Sequence, residues 1–166
     1  VLVVEDNPGD ARLVRELLAR DVAGAYDVAH ARTVDEATQR LGKLHFDVIL
    51  LDLSLPDGSG VDTVVRVYAA APSVPIVVVS GFDDGSLIAR AVEEGAQDYL
   101  IKGHMDERLL VHAIRFAMER QRLLNERYVS LSEVARLLSR QRIAALEAKV
   151  DRLVSLIGAQ RDEAKG

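Results

Sequence analysis

Hydrophobic positions along the chain follow two alternating rhythms. Short contiguous apolar runs, Val1–Val4, Val48–Leu51 and Ile76–Val79, each stop at a polar residue: Glu5, Asp52 and Ser80. Between the runs, apolar residues recur at intervals of three and four. Leu13, Val14, Leu17 and Leu18 do so after Asn7-Pro8-Gly9. Val61, Val64, Val65 and Tyr68 do so after Pro56-Asp57-Gly58, and Leu87, Ile88, Ala91 and Val92 before Gly95. Contiguous runs predict buried strands, and three-four spacing predicts helices with one apolar face. Tyr26–Ala29 predicts a second strand, and Asp98–Ile101 a fifth that ends at Lys102. Thr33 and Glu36 form a capping-box pattern that opens a helix toward Leu41. A fifth helix is expected from near Asp106.

Five strand–helix units thus occupy residues 1 to about 118. Strands without polar alternation, separated by helices, predict a parallel sheet covered on both faces. Right-handed crossovers leave few topologies, and the leading one is the doubly wound, flavodoxin-like α/β fold with strand order 2-1-3-4-5.

In that fold, ligands bind outside the carboxyl ends of the strands, beside the point where strand order reverses. The residues predicted there are Glu5, Asp6, Asp52, Ser80 and Lys102. Each alone has an ordinary explanation: turn residue, helix cap or solvated charge. Their joint arrival at one sheet edge does not. Three close carboxylates invite a hard divalent cation such as Mg²⁺, which takes oxygen ligands. A carboxylate can also attack phosphorus to form an aspartyl phosphate. An ammonium and a hydroxyl then suit the phosphoryl oxygens.

Composition narrows the setting. Apolar residues make up 49% of the chain and charged ones 28%, as in a globular protein. Aromatics are only 4%, so the core must rest on Val, Leu, Ile and Ala. There is no cysteine, which excludes disulfides and thiolate metal sites and fits a cytoplasmic setting. No apolar run reaches membrane-spanning length, and no signal peptide is visible. The chain opens inside an apolar run without an initiator Met, so a few residues are expected before Val1. From Glu119 onward there are ten Lys or Arg against seven Asp or Glu, whereas the rest carries eleven against nineteen. An acidic body argues against direct nucleic-acid binding.

The stretches VLVVEDNPGD, DVILLDLSLPDGSG, PIVVVSG and GAQDYLIKG, in this order and spacing, resemble the receiver domain of bacterial two-component response regulators. The resemblance covers residues 1 to about 118, and 119–166 would be a helical extension. It implies a phosphorylation-dependent switch, not a turnover enzyme, with at most slow self-catalysed phosphorylation and dephosphorylation. Asp52 would be the phosphoacceptor, supplied by a sensor histidine kinase or phosphotransfer protein. Glu5, Asp6, Asp52 and the backbone carbonyl of Ser54 would hold Mg²⁺. Ser80 and Lys102 would engage the phosphoryl group, and Tyr99 would shift with Ser80. One departure is Gly103, where many receivers carry a proline after the lysine. A cis bond is therefore much less expected, and a glycine can still supply an unusual backbone angle to aim Lys102, which leaves the loop shape open.

Two rivals remain open at this stage. One is an Asp-nucleophile phosphatase, but Ser54 stands where that chemistry wants a second Asp. The other is an unphosphorylated dimerisation scaffold, which has no physical reason to cluster acids. None of His30, His45, His104 and His112 forms a metal pair at helical spacing, and all four are expected at the surface or in loops.

Beyond the body the apolar spacing continues. Leu110, Ile114, Ala117, Gln121, Leu124, Tyr128, Leu131, Ala135 and Leu138 keep a heptad seam, which resumes after Arg142 at Leu146, Val150, Leu153 and Ile157. A four-residue stutter lies around Arg142. Ser130 and Glu133 would allow a helix to restart there. A coiled-coil homodimer, joined by the face of the fourth helix, fifth strand and fifth helix, is expected. A folded-back hairpin and a connector to a further domain are the alternatives.

Overall fold

A computed structural model describes residues 1–21 and 24–163, with side chains through residue 150 except that of residue 148. In chain order the elements are β1 (Leu2–Val4), α1 (Pro8–Arg20), β2 (Ala29–Ala31), α2 (Val34–Leu41), β3 (Ile49–Leu51), β4 (Ser54–Leu55), β5 (Gly58–Ser59), α3 (Val61–Ala70), β6 (Ile76–Ser80), α4 (Gly85–Glu93), β7 (Ala96–Ile101) and α5 (Glu107–Glu163). β4 and β5 pair with each other as a small antiparallel ribbon. The five long-range strands form one sheet in the order β2-β1-β3-β6-β7, every pair parallel. Counting those five alone, the order is the expected 2-1-3-4-5.

The sheet is covered on both faces because each strand sends alternate side chains to opposite sides. Leu2, Val4, Ile49, Leu51, Ile76 and Val78 pack against Val34 and Ala37 of α2, Val64 and Val67 of α3 and Ala91 of α4. Val3, Leu50, Val77 and Val79 pack against Val14, Leu17 and Leu18 of α1 and Leu110, Ala113, Ile114 and Ala117 of α5. Each such Val or Leu, fully buried, contributes about 1.5–3 kcal/mol of hydrophobic stabilisation.

One strand differs from expectation. Residues Tyr26 and Val28 do not pair; they lean partly buried on the α1–α5 side of the core. The second strand instead begins at Ala29, in register with Leu2. Side-chain pattern marked the apolar residues, whereas pairing follows the backbone partner offered by β1. His30 is consequently a strand residue rather than a loop residue, and its Nε2 lies 2.7 Å from the carbonyl oxygen of Glu5. The other three histidines are exposed, as expected.

Helix starts are well determined. Asn7 caps α1 by accepting from the Gly9 amide at 2.8 Å, and Pro8 occupies the first turn, where its missing N–H costs nothing. At α2 half of the capping box is present: the Thr33 hydroxyl accepts from the Glu36 amide at 3.1 Å, while the Glu36 carboxylate accepts from the Arg32 amide, one residue before the cap, at 2.9 Å. The two amides before Glu36, Val34 and Asp35, donate to the two carboxylate oxygens of Asp57, each at 2.9 Å. Asp57 lies in the β4–β5 turn, and Arg66 of α3 donates to its carbonyl at 2.6 Å. The ribbon after β3 is thereby fastened to α2 and α3 together.

No cis peptide bond occurs among the described residues. Gly103 does not use the unusual angle open to a glycine: it lies in a 3-10 turn, Lys102–His104, and among the described residues positive φ is confined to Gly60 and Gly95. The short 3-10 turn aims Lys102 without left-handed backbone. The chain divides into two compact units, Val1–Leu123 and Leu124–Gly166. Helix α5 is continuous past Ser130, so no restart occurs there. Leu124, Tyr128, Leu131, Leu138, Leu146 and Val150 are exposed. The Leu153 and Ile157 side chains lie outside the described residues.

Candidate functional site

The carboxyl ends of β1, β3, β6 and β7 deliver Glu5-Asp6, Asp52, Ser80 and Lys102 to one edge of the sheet. Ligand oxygens of Glu5, Asp6 and Asp52 lie within 4.8 Å of one another. Glu5 and Asp52 are buried at 4% exposure, and Ser80 is fully buried. These acids are thus held in a low-dielectric environment that disfavours their charge unless it is compensated.

Lys102 supplies part of the compensation. Its ammonium contacts Glu5 Oε2 at 2.7 Å, Asp10 Oδ2 at 2.8 Å and Asp52 Oδ2 at 3.1 Å. It donates hydrogen bonds to Asp10 and Asp52 and forms a close ion pair with Glu5. Burial works against the lysine's charge, but the hydrogen bonds with Asp10 and Glu5 and the Asp52 charge outweigh it, raising its pKa above the ordinary lysine value. Burial pushes the Glu5 carboxyl above its ordinary value, and the Asp52 charge adds to that. The Lys102 contact offsets only part of the rise.

Glu5 is otherwise well tied: its Oε1 accepts from the Asn7 amide at 3.1 Å. Asp52 is not. Its Oδ1 is buried and has no hydrogen-bond partner. An orphaned buried carboxylate oxygen beside two further acids is the donor set that a hard cation satisfies, so the residues present fit Mg²⁺.

The Ser80 hydroxyl accepts only a long bond, 3.3 Å, from the Phe82 amide. The Tyr99 hydroxyl donates to the Phe82 carbonyl at 2.9 Å. Ser80 and Tyr99 therefore hold the same loop residue from two sides. Ser54 is exposed at the start of β4, separated from β3 only by Asp52 and Leu53. All the residues expected at the edge reach it. Asp10, in the first turn of α1, was missed. An acid there reads as an ordinary complement to the helix dipole, and its lysine partner is 92 positions away.

This geometry agrees with comparison to known proteins. Residues 1–115 match the family model of the response regulator receiver domain. The chain belongs to that family. It is 38% identical to the transcriptional regulatory protein LnrK of Bacillus subtilis over 96 residues, 56% of this chain and 44% of that protein. Among solved structures it resembles the beryllofluoride-activated NtrC4 receiver domain dimer, with 27% identity, TM-score 0.64, and coverage of 72% of this chain and 96% of that one. It also resembles the phosphorylated cyanobacterial phytochrome response regulator RcpA, with 26% identity, TM-score 0.58, and coverage of 68% and 86%. The chain spans between 22% and 58% of the length of curated relatives such as LnrK, PilR and NarP. As a response regulator receiver it is a signalling protein of two-component systems, and receivers interact with histidine kinases or phosphotransfer proteins. Among the described residues no helix is long and apolar enough to cross a membrane.

Proposed function

We propose that this receiver accepts a phosphoryl group on Asp52 and relays the change through α5 and the helix beyond it. In this reading residues 1–118 are the receiver body and 119–166 the extension. The observation that carries it is the Asp52 carboxylate: buried, held at Oδ2 by Lys102 and without any partner at Oδ1. An oxygen lone pair left without a donor is available to an electrophile or a cation.

The phosphodonor would be a phosphohistidine of a sensor kinase or phosphotransfer protein. A carboxylate oxygen of Asp52 forms the new O–P bond while the donor's N–P bond breaks, and the electron pair returns to the donor imidazole, which takes up a proton. Glu5, Asp6, Asp52 and the Ser54 carbonyl would hold Mg²⁺, which when bound neutralises charge on the phosphoryl oxygens. Lys102 gives up its contact with Asp52 and donates to a phosphoryl oxygen. Ser80 exchanges its long bond from the Phe82 amide for donation to the same group. That frees the loop that Tyr99 also holds, so Tyr99 moves with it and alters the face of α4, β7 and α5.

The exposed heptad residues Leu124, Tyr128, Leu131 and Leu138 support pairing of the extension with a second copy of the chain. The resemblance to a receiver solved as a dimer supports the same reading. Intact-mass measurement after acetyl phosphate and Mg²⁺ tests the central claim. One added phosphoryl group on wild type and none on Asp52→Asn is the expected result. No labelling of wild type, or equal labelling of both, overturns it.

A further inference from the structure

Lys102 occupies the acidic cluster in the way a cation would. Its ammonium touches Glu5 and Asp52, two of the three acids whose ligand oxygens converge. A divalent ion bound to those oxygens would meet the ammonium at close range, and the two positive charges would repel. Lys102 must then move away from Glu5 and Asp52, or the ion is excluded. The Lys102 side chain is only 20% exposed, and an ammonium so placed is costly to leave without a counter-charge.

Asp10 resolves the conflict. It is the only one of the three Lys102 partners outside the converging set, at 2.8 Å from Nζ. Its side chain is 37% exposed, whereas those of Glu5 and Asp52 are about 5% exposed, so it lies on the solvent side of the ammonium. It is fixed there by the first turn of α1, which Asn7 caps and Pro8 begins. We propose that Asp10 is a positioning residue that holds Lys102 when a divalent cation enters among Glu5, Asp6 and Asp52, and so sets the affinity for that cation. The proposal rests on the reading of that cluster as the Mg²⁺ site of a phosphoacceptor.

Two effects give the removal of Asp10 a single sign. Without its counter-anion Lys102 falls back on Glu5 and Asp52 and competes harder for the oxygens the cation needs. The site also loses one negative charge of its own. Both weaken binding.

The test is a titration of the full chain with Mg²⁺ alone, followed by calorimetry and by the backbone amide resonances of Asp52 and Lys102. Asp10→Asn should raise the half-saturating Mg²⁺ concentration about five- to tenfold, as expected for one charge at short range near the surface. Asp10→Glu restores the charge and should stay within about twofold of wild type. Glu94→Gln, at the far end of α4, removes an equal charge and should leave the titration unchanged. Wild-type affinity in Asp10→Asn, or an Asp10→Glu chain as weak as Asp10→Asn, overturns the proposal alone. A wild type with no saturable Mg²⁺ binding overturns the cation reading and this proposal with it. Labelling by acetyl phosphate judges the phosphoacceptor reading separately.

Discussion

Replacing Asp57 by Ala should destabilise the receiver body although Asp57 takes no part in the acidic cluster. Its two carboxylate oxygens receive the first two amides of α2, at 2.9 Å each. Hydrogen bonds to a charged group contribute roughly 1.5–3 kcal/mol when buried. The Val34 bond is part-buried and the Asp35 bond is exposed, so the first counts near the lower bound and the second about half of it. The Arg66 guanidinium lies 3.8 Å from Asp57 Oδ2 and adds at most a few tenths of a kcal/mol. The expected loss is about 2 kcal/mol, or about 6–10 °C in melting temperature for a body of this size. Asp57→Asn keeps one acceptor oxygen and should lose about half as much.

Urea unfolding followed through the near-ultraviolet signal of Tyr26, Tyr68 and Tyr99, in a chain carrying Tyr128→Phe, measures this in the body rather than in the long helix. The effect must also depend on pH. Burial pushes the Asp57 carboxyl up, but the Asp35 and Val34 amides and Arg66 outweigh it and hold its pKa below the ordinary value. A carboxyl depressed in the folded state stabilises above its unfolded pKa of about 3.9 and loses that contribution as pH falls through the folded value. The gap between wild type and Asp57→Ala should therefore be full at neutral pH and narrow below about pH 4. A loss under about 0.5 kcal/mol, or a gap that is unchanged in acid, would refute the reasoning.

Two further outcomes follow from the site and the extension. Lys102→Met leaves Glu5 and Asp52 buried without their ammonium, which should cost about 3 kcal/mol at neutral pH, with part regained on adding Mg²⁺ or on acidification as Glu5 protonates; unfolding curves that ignore both additions would sink the idea. For the extension, light scattering should report a dimer that Leu131→Asp combined with Leu138→Asp converts to monomer, and a wild type that stays monomeric at high concentration disproves the pairing.

The sheet and its edge were legible because apolar runs end abruptly at chemically distinctive residues. Glu5, Asp52 and Lys102 each follow a strand directly and Ser80 ends one, so placing the strands placed these residues at one edge. Legibility failed where a partner rather than a pattern decides. Ala29–Ala31 is an edge strand of two alanines around His30 whose pairing is imposed by β1, and the more apolar Tyr26–Val28 segment beside it drew the expectation three residues too early. His30 was misplaced with it. Asp10 and Asp57 look locally like a helix-turn acid and a turn acid, and both are in fact partners of groups far away in sequence. The loop shape after Lys102, left open by the absence of proline at Gly103, is a 3-10 turn.

The orphaned Oδ1 of Asp52 has a consequence for how this domain can change over time. As long as no cation engages it, a buried acceptor without a donor makes the fold less stable than its packing allows. With Asp52 as the phosphoacceptor proposed above, substitutions that remove the carboxylate, or fill its surroundings with apolar atoms, would raise the melting temperature while ending the response. A screen for thermostability alone would enrich chains that no longer switch. Keeping the acid requires selection on signalling itself, because selection on folding works against it.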